Sequence, residues 1–186
     1  MRILLEGPDN AGKTSLAMRL VEALGDKKVR YFHPGGRPET LQDEINCLNE
    51  QYSVLKENQC ILDRCTAISQ QVYNPDGMDH TRQQAMLSMM AMAPTVIYCR
   101  PSTDKLMRVK EFTWRDGESE EHKQKIISNQ HMFIERYDAI MSKLPCVAYD
   151  YEDEPHREII FTKLVNAFNG EAADQLWFYN LVHYRD

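Results

Sequence analysis

Short apolar runs alternate along the whole chain with stretches in which apolar positions recur every three or four residues. The first run, Arg2 to Glu6, leads straight into Gly7, as expected of a buried parallel strand. Leu16, Ala17, Leu20, Val21 and Leu24 then repeat at helical spacing until Gly25, a residue that stops helices. Val29 to Phe32 predicts a second strand, closed by Pro34-Gly35-Gly36, and Leu41 to Leu55 predicts a helix. Cys60-Ile61-Leu62 predicts a third strand ending at Asp63-Arg64. Met86, Met89, Met90 and Ala93 form a helical stripe before Pro94. Thr95 to Cys99 predicts a fourth strand, stopped by Pro101. Ile126, Ile127, Phe133, Ile134, Tyr137, Ile140 and Met141 spread a long helix over His122 to Leu144. Val147-Ala148-Tyr149 predicts a fifth strand, and Ile159 to Phe168 a closing helix.

Strands alternating with helices predict an α/β fold: a three-layer sandwich around a central, mainly parallel five-stranded sheet. In such sheets ligands bind at the carboxyl ends of the strands. Gly7, His33, Asp63 and Arg100 all fall at that edge. The 186 residues suit a single domain, and no long linker, repeat or low-complexity stretch divides them.

Composition narrows the class. Hydrophobic residues make up 42% and charged residues 27%, an ordinary globular balance. No apolar run approaches the roughly 20 residues that span a bilayer, so no membrane partner is expected. The segment before Gly7 is too short for a signal peptide, and a cytosolic location is the default expectation. Cys47, Cys60, Cys65, Cys99 and Cys146 are scattered and never in a CxxC pair, which predicts small apolar fillers kept reduced. The six histidines show no metal-ligand spacing. A formal net charge of -6 argues against a protein that coats nucleic acid, though a local basic groove stays open.

Chemistry enters at Gly7-Pro8-Asp9-Asn10-Ala11-Gly12-Lys13-Thr14, which matches G-x-x-x-x-G-K-[ST] at every fixed position between a strand and an amphipathic helix. Gly7 and Gly12 allow the tight turn that aims successive amides, those of Asp9, Asn10 and Ala11 among them, at phosphate oxygens. Lys13 adds a cation at the β- and γ-phosphates, and Thr14 presents a hydroxyl to Mg²⁺. The expected fold is therefore that of a P-loop NTPase, with ATP as co-substrate and Mg²⁺ as its metal. No guanine-reading T-K-x-D run follows a later strand, which disfavours a GTPase.

Leu5-Glu6-Gly7-Pro8-Asp9-Asn10-Ala11-Gly12-Lys13-Thr14 resembles the opening of thymidylate kinases, whose loop reads E-G-x-D-x-x-G-K. Asp63-Arg64, with Ser69 and Tyr73, resembles that family's D-R-x-x-x-S-x-x-x-Y segment with one extra residue before the serine. Pro34-Gly35-Gly36 resembles its P-G-G turn. Val96 to Pro101 and Tyr137-Asp138 look closer to phage-type nucleotide kinases of the same superfamily. The resemblance implies a kinase in which Asp63 holds Mg²⁺, Arg64 grips an acceptor phosphate and Asp9 receives a deoxyribose hydroxyl. It also implies a mobile lid over residues 105–120, with Lys105, Arg108, Lys110 and Arg115 as basic candidates and Arg115 nearest its tip. Arg100 fits either stacking on adenine or capping the sheet.

Tyr73, Phe32, Tyr31 and Trp114 are candidates for stacking on an acceptor base. The aromatic-rich run from Leu176 to Tyr184 predicts a terminal helix docked on the body or, less simply, a homodimer interface. The expected partner is a nucleotide acceptor. Nucleoside kinases carry a glutamate base at the end of the second strand, where this chain reads Phe32-His33-Pro34. That favours an acceptor oxygen already ionised, as in dTMP or a related deoxynucleoside monophosphate. The resemblance keeps a second acceptor open, the hydroxymethyl group of 5-hydroxymethyl-deoxyuridine within DNA. DNA would then be the partner, and His33, Asp9 or Asp63 would supply a base. A P-loop ATPase without an acceptor is the third possibility.

Overall fold

A computed structural model describes residues 1–25, 29–35, 38, 40–76, 79–108, 114 and 119–183 of the chain. Five strands form one sheet: β1 (Arg2–Glu6), β2 (Arg30–Phe32), β3 (Cys60–Asp63), β4 (Thr95–Cys99) and β5 (Cys146–Tyr149). Their order is β2-β3-β1-β4-β5, and every pairing is parallel. β1 therefore lies at the centre, with Leu5 opposite Asp63 on one side and opposite Ile97 on the other. Alternate residues of each strand feed opposite layers, as the pleat requires. Ile3, Leu5, Ile61, Ile97 and Val147 pack with helices α1 (Lys13–Leu24), α7 (Glu154–Phe168) and α8 (Ala172–His183). Leu4, Leu62, Val96 and Cys146 pack with α2 (Leu41–Leu55), α3 (Thr66–Tyr73), α4 (Asp79–Met90) and α6 (Glu120–Met141). α5 (Thr103–Leu106) is a single turn after β4.

The predicted α/β sandwich is the observed one, and α2 and β4 have the predicted bounds. Other elements begin earlier than their apolar stripes. α7 starts at Glu154 because Asp153 caps it, accepting from the His156 amide at 3.3 Å, with Pro155 in the first turn. α4 starts at Asp79, through a polar turn that hydrophobic periodicity cannot see. Its Arg82 is buried all the same, because its guanidinium meets both carboxylate oxygens of Glu44 at 2.6 and 2.9 Å. α8 docks on the body through Phe178 and Trp177, while Leu176 and Tyr179 stay exposed. All five cysteines are free thiols, and burial pushes Cys65 and Cys99 each up to about 12. Among the described residues no helix is long and apolar enough to cross a membrane.

Candidate active site

β1 delivers the chain to the carboxyl edge of the sheet, where the phosphate loop turns into α1. Two glycines carry that turn. Gly7 has φ 148°, and a Cβ there would lie 2.2 Å from the Cys99 carbonyl oxygen. Gly12 has φ 83°, and a Cβ there would meet the Tyr151 ring at 2.8 Å. Larger residues are excluded at both places by strand β4 and by the segment after β5. Lys13 is buried and donates to the carbonyls of Gly7 at 2.7 Å and Pro8 at 2.6 Å. Burial, and then the nearby Arg64 charge, hold its ammonium below its ordinary pKa. This cation is gathered over its own loop by those two carbonyls.

The metal candidates meet at the adjacent strand end. The Thr14 hydroxyl donates to Asp63 Oδ2 at 2.8 Å, and the Tyr31 hydroxyl donates to the same oxygen at 3.0 Å. His33 Nδ1 lies 3.3 Å from that carboxylate. Among the described residues Asp63 Oδ1 is buried without a hydrogen-bond partner, and so is His33 Nε2. Burial alone would raise the Asp63 carboxyl. The His33 contact, the Lys13 charge and the Thr14 hydrogen bond overcome it and hold the group at about 2. Asp63 is thus an anion at neutral pH, with one oxygen spare beside a hydroxyl. One carboxylate and one hydroxyl suit Mg²⁺, which takes its remaining ligands from phosphates and water. Among the described residues no group of three or more His, Cys, Asp or Glu side chains is arranged for a metal.

Beyond Asp63 the backbone reverses sharply. Arg64 has φ 85°, in the left-handed region that side chains other than glycine's rarely adopt. The turn swings its guanidinium back over the phosphate loop, where it donates to Asp9 Oδ1 at 2.6 Å. Tyr73, at the end of α3, donates to Asp9 Oδ2 at 2.9 Å and lies under the guanidinium. Burial opposes ionisation of Asp9, but the Arg64 and Lys13 charges and these hydrogen bonds keep its carboxyl below the ordinary value. Arg64 Nε is buried and has no hydrogen-bond partner among the described residues. Asp9, Arg64 and Tyr73, far apart in sequence, form one corner beside Lys13. Ser69 is buried on the same helix.

The other expected residues are placed less uniformly. Arg100 caps the sheet: its guanidinium grips Asp138 on α6 at 2.8 and 2.9 Å, and the Tyr98 hydroxyl joins at 2.6 Å. Lys105 stands on α5, 3.9 Å from Glu152, and Arg108 is exposed. Lys110 and Arg115 lie outside the described residues. Trp114 and Phe32 are partly buried against the core. Tyr31 serves the site through its hydroxyl on Asp63 rather than through its ring face. Two residues escape sequence reasoning: Glu6, a fully buried carboxylate at the end of β1, and Gln51, a fully buried amide on α2. A charge closing the apolar run Ile3-Leu4-Leu5, at the glutamate of the E-G-x-D-x-x-G-K resemblance, was the available signal for Glu6. Gln51, in a helix of mixed polarity, gave none.

No family model matches the chain, and no curated protein matches it. Solved structures do. The chain is similar to the YorR protein of Bacillus subtilis, solved with phosphorylated GDP, at 20% identity and TM-score 0.58 over 90% of this chain and 98% of that one. It is similar to deoxyadenosine kinase from M. mycoides, solved with dCMP and dCDP, at 22% identity and TM-score 0.57 over 90% and 100%. A thymidylate kinase from Ehrlichia chaffeensis matches at 14% identity and TM-score 0.50 over 90% and 97%. The chain shares the fold of these structures.

Proposed function

We propose that the chain is an ATP-dependent phosphotransferase whose acceptor is a thymidine-type deoxynucleoside monophosphate, dTMP foremost. The observation that carries this reading is the Asp9–Arg64–Tyr73 corner set against Lys13, with the Arg64 Nε unpartnered among the described residues. A guanidinium presents paired N–H donors that match a phosphate, and a carboxylate on the same wall accepts from a sugar hydroxyl. In phosphoryl transfer the bond from the γ-phosphorus to its bridging oxygen breaks as one forms to the acceptor oxygen. A monophosphate acceptor brings that oxygen ionised, so the residues' work is positioning and charge neutralisation. Lys13 and the loop amides hold the donor phosphates. Arg64 aligns the acceptor and offsets its charge. Thr14 and Asp63 would hold Mg²⁺, which when bound neutralises charge on the donor phosphates.

One observation favours a second acceptor. His33 stands at the end of β2, with Nδ1 against Asp63 and Nε2 buried without a partner among the described residues. A hydroxyl acceptor needs a base in about this position, and 5-hydroxymethyl-deoxyuridine within DNA would supply such a hydroxyl. The two readings separate in one assay. Purified protein is given γ-labelled ATP with dTMP, or with duplexes containing 5-hydroxymethyluracil, across a salt series. The expected result is labelled dTDP with a shallow salt dependence, because few charges meet. Labelled DNA falling steeply with salt, and no labelled dTDP, would replace the free-nucleotide reading. Phosphate released to water alone would identify an ATPase.

A further inference from the structure

Glu6 is the last residue of a strand whose preceding three residues, Ile3, Leu4 and Leu5, are wholly apolar and buried. Its side chain is equally buried, yet it forms no ion pair with a Lys or Arg among the described residues. Its two oxygens are instead taken up by backbone N–H groups from two different segments. Oε2 accepts from the amide of Gly7 at 3.2 Å, where the phosphate loop starts. Oε1 accepts from the amide of Cys65, the residue after Arg64. A buried carboxylate with only amide partners is costly where another leucine would pack, so its position calls for a reason.

That reason lies in the Arg64 turn. A left-handed arginine persists only where its surroundings over-determine it. Here the Arg64 amide donates to the Leu5 carbonyl at 3.0 Å, and the Cys65 amide donates to Glu6. Gln51 supports the turn from the other side: its Nε2 donates to the Arg64 carbonyl at 3.3 Å, and its Oε1 accepts from Thr66 at 2.9 Å. Of these supports, only Glu6 also holds the phosphate loop. We infer that Glu6 is a positioning residue that fixes the donor loop and the acceptor arginine in one register. Gln51 holds the arginine alone.

The inference rests on the phosphotransferase reading, and its test keeps the two apart. Glu6→Gln keeps the shape but turns an NH₂ toward one of the two amides. Glu6→Asp keeps the charge but is a methylene short of spanning both. Each is expected to weaken ATP binding and raise acceptor KM, roughly tenfold apiece, the scale of a lost hydrogen bond to a charged group. Gln51→Leu should raise acceptor KM with ATP affinity unchanged. In an Arg64→Ala background, Glu6→Gln should add nothing to acceptor KM, since it acts through that residue. A lower melting temperature with both constants unchanged, or additive effects in the double variant, would reduce Glu6 to packing and overturn the inference. If the wild type phosphorylates no acceptor, the functional reading fails by itself. Calorimetric titration with ATP then decides: unchanged affinity in the folded Glu6 variants overturns the inference, and weakened affinity upholds it.

Discussion

The phosphate loop and the proposed acceptor corner lie side by side, yet they are built in opposite ways. The loop motif is eight consecutive residues running from the end of β1 into the first turn of α1, and its lysine is satisfied by carbonyls five and six residues away. The corner draws Asp9 from the loop, Arg64 from the end of β3 and Tyr73 from α3, 55 and 64 residues from Asp9. The loop needs local geometry and glycine. The corner needs the sheet order, an unfavourable backbone turn and buried supports beneath it. Damage to the first should therefore be local and severe. Damage to the second should be graded and shared among residues that touch no ligand.

The largest effect should come from the loop. On the proposed reading Lys13→Ala removes the cation that serves the donor phosphates, and kcat should fall on the order of 100- to 1,000-fold with the melting temperature little changed. Near-normal turnover in the folded variant would remove the loop from the chemistry. Next comes the cost of the buried tie between the two regions. Burial pushes Glu6 from an ordinary value of 4.5 up to about 7, against the Lys13 and Arg64 charges and its two amide donors. A raised folded pKa gives stability that is fully present below the ordinary value and is lost as pH rises through the folded one. Wild type should thus lose about 3 kcal/mol relative to Glu6→Gln between pH 4 and pH 8. Denaturant melts across that range check it, and a flat difference would mean that the carboxylate is not buried as described.

Arg64→Ala should raise acceptor KM and lower kcat, about 10- to 100-fold in kcat/KM, with ATP affinity nearly unchanged. Arg64→Lys should not restore activity, because a point charge lacks the paired donors that the planar guanidinium offers. An equal loss of ATP binding would assign Arg64 to the donor side and erase the contrast between the regions. The smallest effect should be at Arg100, whose guanidinium is engaged with Asp138. Arg100→Gln should lower stability by about 1 kcal/mol and change ATP KM less than about threefold. A larger shift in KM would place adenine on this side chain.

What the sequence by itself determined is what short-range physics controls. The apolar runs placed all five strands, and the loop motif was complete within consecutive residues, so Gly7, Gly12, Lys13 and Thr14 could be named without a fold. Asp63 could be named from its place at a strand end, and Arg64 from the Asp-Arg pair of the thymidylate-kinase resemblance. Tertiary structure alone decided the rest. It chose the order β2-β3-β1-β4-β5, which brings Asp63 beside Thr14 and Arg64 over Asp9. It buried Arg82 against Glu44, hiding the start of α4 from any hydrophobic count. It put Tyr31, His33, Glu6 and Gln51 to work beneath the site. Each of these is a polar group whose partner lies at a strand crossing or on another helix, and no pattern of apolar spacing records such a partner. Hydrophobic periodicity encodes which face is buried; which buried polar groups meet depends on how the layers stack.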